Sequence, residues 1–533
     1  MAAIVTCSFF AAPRKRSSRR VGVLFTWLLF WLWAAVVACP GAVRTFSVGT
    51  SADLQAALRE AQPGDQIVLA AGVPLVGNFT LPTQPATSGK WITIRSAAPD
   101  ESLPPATARV TPDYASALGQ LVSPNAQPAL STEAGAHHYR FIGVEFTVAP
   151  AVTLNYGIVR LGNGDETDAE SLPHDLAFDR CYIHGHARLD VSRGVALNSA
   201  ATDIVNSTIS DIHGVGFDTQ AICGWNGPGP FRILNNYLEA AGENVMFGGV
   251  DPTIPDLVPS DIEFRRNDCR KPLAWCPTEP SYAGIHWSVK NLFELKNARR
   301  VTVDGNRFEN NWVDAQVGFA IQMTVRNQDG KAPWSTLEDV SFTNNVVRHA
   351  AGGINLLGRD NNHPSRQADG LLIRNNLFYD IGTPRWGTNG RFLQISGAVG
   401  VRLDHNTALQ TGNIITAYGE PTSGFGFTNN LVLNNLYGVI GDGASSGNTT
   451  IEQYLPASAF KKNAIVGGQP NLYPKKNLFP ASLLEVGFVD PASGNFRLSA
   501  SSPLKGAGTK GQDIGADLDA IEQAHGGATG PPQ

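Results

Sequence analysis

Residues 287–327 read WSVKNLFELKNARRVTVDGNRFENNWVDAQVGFAIQMTVRN. Within this stretch, residues 293–297 and 301–303 alternate apolar and polar side chains, which predicts two β-strands. The turn-forming triplet Asp304-Gly305-Asn306 follows the second of them, and residues 319–325 predict a further strand. The stretch therefore predicts short strands joined by turns that contain Asn.

The turn at Asn306 belongs to a pattern of alternating apolar residues, an Asn and a further apolar residue that recurs along the chain. Its nine copies are centred on Asn206, Asn236, Asn267, Asn306, Asn345, Asn376, Asn406, Asn430 and Asn463. The spacings are 30, 31, 39, 39, 31, 30, 24 and 33 residues, which indicates a coil of constant shape with loops of variable length. Asn suits such a turn because it tolerates a left-handed backbone and its amide can bond to the same residue of the next coil.

The start of the mature chain predicts a cover for the first coil. Residues 46–69 read FSVGTSADLQAALREAQPGDQIVL. A helix with Leu54, Ala57 and Leu58 on one face follows a short strand, and a second strand ends the segment. A stack of parallel strands needs its open first edge covered, and a small amphipathic helix can do this.

This segment, with the Gly77-Asn78-Phe79 that follows it, resembles the N-terminal cap of secreted right-handed parallel β-helix proteins, which include pectate lyases and related polysaccharide lyases. The resemblance implies an all-β chain, with a right-handed parallel β-helix over residues 40–520 and a short N-terminal capping helix. The segment 486–516 is similar to the closing segment of many such proteins. We expect residues 521–533, which form a Gly- and Pro-rich tail, to be disordered.

The first 39 residues predict a targeting segment. Five basic residues precede an uncharged apolar run from Val21 to Ala38, as in a secretory signal peptide. The sequence before Cys39 also resembles a bacterial lipobox, which would attach a lipid to Cys39, and the apolar run could alternatively remain as a membrane anchor. Each interpretation places the body outside the cytoplasm, as a secreted, periplasmic or cell-envelope protein.

The charge of the chain argues against nucleic-acid binding. The formal net charge of the 533 residues is −5, and removal of the basic leader makes the mature chain more acidic. An acidic protein is a poor partner for nucleic acids. An anionic ligand would therefore need a local basic patch, and residues 287–327 contain six basic residues against four acidic ones.

The cysteines predict no zinc site, because the chain has no CxxC pair. Cys269 and Cys276 flank a short turn, and in an oxidising compartment they are candidates for a disulfide.

A second recurrent strand lies between the Asn turns, and its polar residues are predicted to form one outward-facing row. The members of this row are Asn198, Gln220, Glu294, Gln322, Asn355, Gln394 and Thr416. Such a row suits sugar hydroxyls, although it suits water equally well. Arg359 and Trp287 lie in or near insertions beside this face, where Trp287 is a candidate for stacking on a sugar ring or for packing.

Glu294, Lys296 and Arg326 form the clearest charged group, and they resemble a site in polysaccharide lyases of the alginate lyase and chondroitinase B type. That type uses a Lys and an Arg on adjacent coils, and acidic residues hold a calcium ion. The resemblance implies Lys296 as the base, Arg326 as the cation and Glu294 as a calcium ligand. It is incomplete, because Asn327-Gln328 stands where the family usually has His-Gly.

The sequence thus predicts a monomeric polysaccharide lyase acting on an acidic polysaccharide. Elimination needs a base for the proton α to the carboxylate and a cation for the developing enediolate. One alternative is a glycoside hydrolase on the same scaffold, with Asp218, Glu243 and Asp360 as candidate carboxylates. The other is a non-catalytic glycan-binding or envelope protein, which the same fold would suit.

Overall fold

The computed structural model of the protein describes residues 43–85 and 89–526. The predicted signal peptide, with its candidate lipid site at Cys39, lies outside the described residues. Among the helices within the described ranges, none has both the length and the apolar character needed to cross a bilayer.

The chain winds into successive coils, and most coils add one strand to each of three parallel sheets. Sheet A has 14 strands: Thr45–Val48, Gln66–Leu69, Ile92–Ser96, His137–Ile142, His174–Asp179, Ala200–Val205, Gly229–Leu234, Ser260–Arg265, Ala298–Asp304, Leu337–Thr343, Asp369–Arg374, Arg402–Asp404, Gly426–Thr428 and Ala459–Lys461. Sheet B has 13 strands: Pro74–Val76, Gly119–Ser123, Val144–Val148, Tyr182–His184, Thr208–Ile212, Tyr237–Ala240, Asp268–Arg270, Arg307–Asn311, Val346–Ala350, Leu377–Ile381, Thr407–Gln410, Leu431–Leu433 and Ala464–Val466. Sheet C has 12 strands: Phe79–Leu81, Leu130–Thr132, Val159–Leu161, Arg193–Leu197, Gln220–Gly224, Glu243–Phe247, Phe293–Leu295, Phe319–Thr324, Gly352–Leu357, Leu393–Ser396, Ile415–Ala417 and Val439–Gly441. This is the predicted right-handed parallel β-helix.

The capping helix is confirmed as Ser51–Glu60. Thr50 caps its first turn, since its side chain accepts from the backbone N–H of Asp53 while the Asp53 carboxylate accepts from that of Thr50. Leu54, Ala57 and Leu58 are buried and join the core of the first coils. The helix thus covers the open end of the stack, as its amphipathic pattern indicates.

The remaining small elements lie outside the three sheets. The other α-helices are Asn448–Tyr454, Leu483–Val486 and Leu518–Ala524, and the 3₁₀ turns are Asp100–Ser102, Pro112–Ala117, Leu273–Trp275, Pro470–Leu472, Pro491–Ser493 and Thr509–Gly511. Two-stranded pairs join Leu154–Asn155 to Asp190–Val191 and Phe488–Asp490 to Asn495–Leu498.

The last helix corrects the start of one predicted segment. The segment 521–533 was expected to be disordered, but its first residues belong to the helix Leu518–Ala524, in which Ile521 is buried, and residues 527–533 lie outside the described residues. The apolar side of this helix packs with Phe496 against sheet B, and this burial orders the chain as far as the described residues extend.

The Asn repeat forms a ladder of buried amides at the turns between sheets A and B. Asn306 shows the pattern: its backbone N–H and its amide both donate to the Oδ1 of Asn345, at 2.8 and 3.0 Å, and its amide donates to the carbonyl of Phe264 at 2.9 Å. The equivalent bonds link Asn236, Asn267, Asn306, Asn345, Asn376, Asn406, Asn430, Asn463 and Asn477.

Two details of the predicted ladder were wrong. Asn206 is not a member, because the backbone N–H of Ser207 occupies that place and donates to Asn236. The left-handed backbone belongs to the residue before each ladder Asn, as at Gly305 and Asn344. Asn suits the ladder position itself because its side-chain amide accepts from the preceding coil and donates to the next one.

The predicted disulfide is also wrong, since Cys269 and Cys276 are free buried thiols. Cys269 points into the core enclosed by the three sheets. Cys276 lies in a separate cluster with Trp275 and Trp287. The two side chains are therefore on opposite sides of the wall of the β-helix.

Candidate functional site

The candidate site is the outer face of sheet C, which lies between two rows of loops. Loops 248–259, 325–336 and 358–368 lead from the ends of sheet C strands to sheet A, and we call them the loop wall. Segments 271–292, 312–318 and 382–392 lead from sheet B to the starts of sheet C strands. The face of sheet C between these two rows of loops is the surface that we call the groove.

Two aspartates hold the loop wall together. Both carboxylate oxygens of Asp251 accept backbone N–H groups from the next loop, those of Gln328 at 2.6 Å and Asp329 at 2.9 Å. Asp360 accepts the backbone N–H of Asn327 at 2.7 Å and pairs with Arg326 at 3.1 Å. Asp360, a predicted candidate for hydrolysis, therefore links neighbouring loops.

Tryptophans fill the opposite wall and are not available to a ligand. Trp275, Trp287, Trp312 and Trp386 share one buried cluster. Trp287 is only 3% exposed, and its ring stacks on that of His213 at 3.8 Å. The prediction that Trp287 binds substrate was therefore wrong, because its apolar ring is used for packing.

The predicted polar row is present over the later coils, where the sheet C register aligns Glu294, Gln322, Asn355, Gln394 and Thr416. The amides bond along the row: Asn355 donates to the Oε1 of Gln322 at 2.8 Å, and Gln394 donates to the Oδ1 of Asn355 at 3.0 Å. Two of these amides have a further partner beside the row, since Gln322 donates to the Oε1 of Gln316 at 3.3 Å and Gln394 accepts from Arg391 at 2.6 Å. An amide group has two donors and two acceptor lone pairs, which allows further bonds to hydroxyl groups.

On the earlier coils the predicted row was wrong. The positions equivalent to Glu294 are Ala196, Cys223 and Met246. Asn198 lies beyond the strand and accepts two backbone N–H groups in a turn. The loops before these strands differ in length, so sequence alignment misplaced the register.

Gln220 belongs instead to a second row, three residues earlier on each strand, which we call the charged row. Its members are Arg193, Gln220, Glu243 and Asn291 on consecutive coils. Gln220 donates to the Oε2 of Glu243 at 2.7 Å. Gln220 Oε1, Glu243 Oε1 and Asn291 Oδ1 are buried and accept no hydrogen bond from the described part of the chain. Buried oxygens without partners are rare, and three on adjacent coils indicate a place for water or a polar ligand.

Two lysines flank the strand Phe293–Leu295 on one coil, and each stands over a buried carboxylate. The Nζ of Lys290 is 3.7 Å from Glu243 Oε1 and also contacts Asp218. The Nζ of Lys296 is 3.6 Å from Glu294 Oε1. The lysine side chains are 19% and 18% exposed, whereas the glutamates are 1% and 5% exposed. Each lysine is therefore paired with a buried carboxylate and is itself partly exposed.

The burial of Glu243 alters its acidity. Burial raises the pKa of Glu243 to about 7, the negative charge of Glu294 adds to the increase, and Lys290 opposes it. Burial lowers the pKa of Lys290, but the attraction of Glu243 and Asp218 outweighs burial and the net shift is upward. Lys290 therefore stays charged while Glu243 can gain or lose a proton near neutral pH.

Lys296 and Arg326 do lie on consecutive coils, where the Arg326 N–H donates to the Lys296 carbonyl at 2.9 Å. Their side chains nevertheless have partners in opposite directions along the sheet. Lys296 reaches back to Gly249 in the preceding coil, and Arg326 reaches forward to Asp360 in the following one. Arg359, also predicted to bind substrate, is on the loop wall and donates to Gln367 at 2.9 Å.

A different cation shares the neighbourhood of Lys296. Arg193 and Lys296 both act on the thiol of Cys223, where they oppose the rise in its pKa that burial causes. The guanidinium of Arg193 also lies over the ring of Trp225, at 5.2 Å. The structure thus places Arg193 beside the first half of the row.

Calcium does not fit at Glu294. Calcium takes six to eight oxygen ligands, but both oxygens of Glu294 face nitrogen donors, Asn291 Nδ2 at 2.8 Å and Lys296 Nζ at 3.6 Å. In the described ranges, the groups of three acidic, His or Cys side chains close enough to share an ion do not include Glu294. No step of the reaction proposed below passes through calcium.

Sequence reasoning missed Arg193 and undervalued Glu243 and Lys290. Arg193 begins a strand that precedes the Asn repeat, so it lacked the neighbouring turn that marked the later coils. The position of Lys290, four residues before Glu294 in the same charged stretch, was the available signal for its role.

Comparisons with known proteins give matches among solved structures. The chain matches no protein-family model and no curated protein sequence. Among solved structures it is similar to an alginate lyase from Paenibacillus sp., with 16% identity over 82% of this chain and 98% of that chain, and a TM-score of 0.34. It is also similar to the PL6 family alginate lyase AlyGC, with 12% identity, 89% and 58% coverage and a TM-score of 0.41. A third is the catalytic unit of a GH87 alpha-1,3-glucanase from Streptomyces thermodiastaticus, with 11% identity, 84% and 70% coverage and a TM-score of 0.45. At such identities and TM-scores these are likenesses of fold alone, and the assignment of the parallel β-helix rests on the three sheets described above.

Proposed function

We propose that this protein is an exported carbohydrate-active enzyme that cleaves an acidic polysaccharide by β-elimination on the outer face of sheet C. The observation that carries the proposal is the pair of lysines, Lys290 and Lys296, which flank a strand of sheet C, stand over buried carboxylates and are partly exposed. A neutral glycan would have no use for ammonium groups held in this way. Carboxylates of a uronate chain are the complementary ligand.

The groove would bind such a chain along the stacking direction of the coils. Lys290 and Arg193 pair with uronate carboxylates near the charged row, and Gln322, Asn355 and Gln394 bond to hydroxyl groups further along. The strands of adjacent coils are about 4.8 Å apart, so several sugar units contact successive coils. Binding at many sites on a continuous face also explains the length of the polar row.

In the proposed reaction, Lys296 takes the proton α to a uronate carboxylate, a carbon–carbon double bond forms as the bond to the β oxygen breaks, and that oxygen leaves as a hydroxyl group after it takes a proton from the Lys296 ammonium or from water. Lys290 and Arg193 neutralise the carboxylate and stabilise the enediolate. They take the role that the sequence assigned to Arg326. Asn291 donates to Glu294 at 2.8 Å, so Glu294 has a second partner besides Lys296.

The proposal is tested with purified protein on pectate, alginate and glycosaminoglycans. Elimination gives an unsaturated product, and we expect ultraviolet absorbance to rise with one of these substrates. Lys296→Ala should abolish the rise. Lys461→Ala is the matched control, since Lys461 is an exposed residue at the far end of sheet A, and it should retain activity. Equal loss in both variants, or full activity of Lys296→Ala, would contradict the assignment.

A glycoside hydrolase is the second candidate, and the raised pKa of Glu243 near the Glu294 carboxylate favours it. Hydrolysis uses one carboxyl that donates a proton and one ionised carboxylate. In that case reducing ends appear without ultraviolet absorbance, Lys296→Ala remains active, and Glu243→Gln is inactive. Binding without any shortening of the polysaccharide would instead support a non-catalytic role.

A further inference from the structure

Three histidines and an aspartate meet on two adjacent coils, on the outside of sheet A and away from the groove. His137 and His138 begin the strand His137–Ile142, and His174 and Asp175 begin the strand His174–Asp179. The register pairs His137 with His174. Their rings stack, with centroids 4.8 Å apart and an interplanar angle of 16°.

An irregularity of the backbone gathers these side chains. His138 and Asp175 have φ values of 59° and 50°, in the left-handed region. In a regular strand, consecutive side chains point to opposite faces, so one of each pair would enter the core. Here all four residues are partly exposed, because the left-handed residue interrupts the alternation. Two coils therefore contribute two outward side chains each.

The potential ligand atoms are close together. The Oδ2 of Asp175 is 2.7 Å from the Nδ1 of His174 and 3.9 Å from the Nδ1 of His138. The Nδ1 atoms of His137 and His138 are 2.9 Å apart. One ligand atom from each of His138, His174 and Asp175 lies within 4.8 Å of the other two. Ligands at 2.0–2.1 Å from a tetrahedral zinc ion are about 3.3 Å from one another, a spacing that these distances bracket.

We propose that His138, His174 and Asp175 bind one divalent cation of the zinc class, with the fourth position open to water or to His137. Two imidazole nitrogens and one carboxylate oxygen form a ligand set that zinc accepts. Calcium prefers oxygen ligands only. The side chains of His138, His174 and Asp175 are 18%, 39% and 38% exposed, so an ion can enter from solvent. The site would join two coils of the helix and is independent of the proposed reaction on sheet C.

The test is calorimetric titration of the untagged, chelator-treated protein with zinc chloride. We expect one zinc ion per chain and a higher melting temperature after loading. His174→Ala should weaken binding by more than the roughly 10- to 100-fold that loss of an outer partner of a ligand costs. His286→Ala is the matched control, since His286 forms an exposed pair with Asp314 on another loop, and its zinc affinity should equal that of the wild type.

The conservative variant Asp175→Asn distinguishes the loss of a ligand from a folding defect, because it keeps the size of the side chain. Metal-free melting temperatures of all variants should match that of the wild type. The proposal would be overturned if the wild-type protein bound no zinc or preferred calcium. It would also be overturned if His174→Ala and Asp175→Asn both bound zinc with the affinity of the wild type. Blocking the thiols should leave binding intact, since the cysteines within the described residues are buried.

Discussion

Replacement of Glu243 by Gln should stabilise the protein in a pH-dependent way. The pKa of Glu243 is raised from an ordinary 4.5 to about 7. A raised carboxyl pKa means that the folded state binds the proton more tightly, so its stabilising contribution is complete below about pH 4.5 and is lost as pH rises through about 7. Each pKa unit corresponds to 1.36 kcal/mol, so ionisation of the buried carboxyl at pH 8 costs about 3 kcal/mol of stability. Glu243→Gln removes this cost.

Urea unfolding at about pH 5 and pH 8 measures the effect. We expect Glu243→Gln to exceed the wild type by about 3 kcal/mol at pH 8 and by less than about 1 kcal/mol at pH 5. Glu239→Gln is the matched control, because burial also raises the pKa of Glu239 to about 7 and Glu239 lies on sheet B. It should show the same stabilisation. Only Glu243→Gln should weaken activity, through the loss of the carboxylate beneath Lys290.

A pH-independent difference between Glu243→Gln and the wild type would refute this reasoning. So would a variant that is less stable than the wild type at pH 8. Equal effects of Glu243→Gln and Glu239→Gln on activity would show that Glu243 has no particular connection to the groove.

Three other changes have definite expected outcomes. Asn306→Ala removes four buried side-chain hydrogen bonds and should lower the free energy of unfolding in urea by about 4 kcal/mol. The exposed control Asn362→Ala should change that free energy by less than about 0.5 kcal/mol. Similar losses in both variants would argue against a stabilising role of the ladder. Asp251→Ala removes the acceptor of three backbone N–H groups and should speed proteolytic cleavage within loop 325–336. An unchanged cleavage rate would show that the loop wall does not depend on the Asp251 carboxylate. A reducing agent should leave the melting temperature unchanged, because Cys269 and Cys276 are free, and a lower value would reveal a disulfide.

The fold was predictable because its signal is local and repeated. Each ladder Asn is flanked by the same alternation of apolar residues, and its amide bonds to the equivalent Asn of the next coil. Loops of any length leave that signal unchanged. The capping helix was predictable for a similar reason, since Thr50 and the apolar face of its first turns are encoded within a few residues.

The site was less predictable because it depends on register and depth. The positions of Asn198 and Gln220 relative to Glu294 depend on loop lengths that pattern matching cannot resolve, so both were assigned to the wrong row. The depth of Glu243 depends on neighbouring coils, and the sequence gives no measure of it. Trp287 illustrates the same limit, since an exposed and a packed tryptophan have the same sequence context.

The products of the reaction test the central claim most directly. Mass spectrometry of oligosaccharides released from an acidic polysaccharide distinguishes elimination from hydrolysis, because the new end of an eliminated product is one water lighter. We expect the lighter, unsaturated products from the wild type and from Lys461→Ala, and none from Lys296→Ala. Products that contain the added water, or an intact polysaccharide after incubation with every acidic substrate, would contradict the proposal that the groove on sheet C is a lyase site.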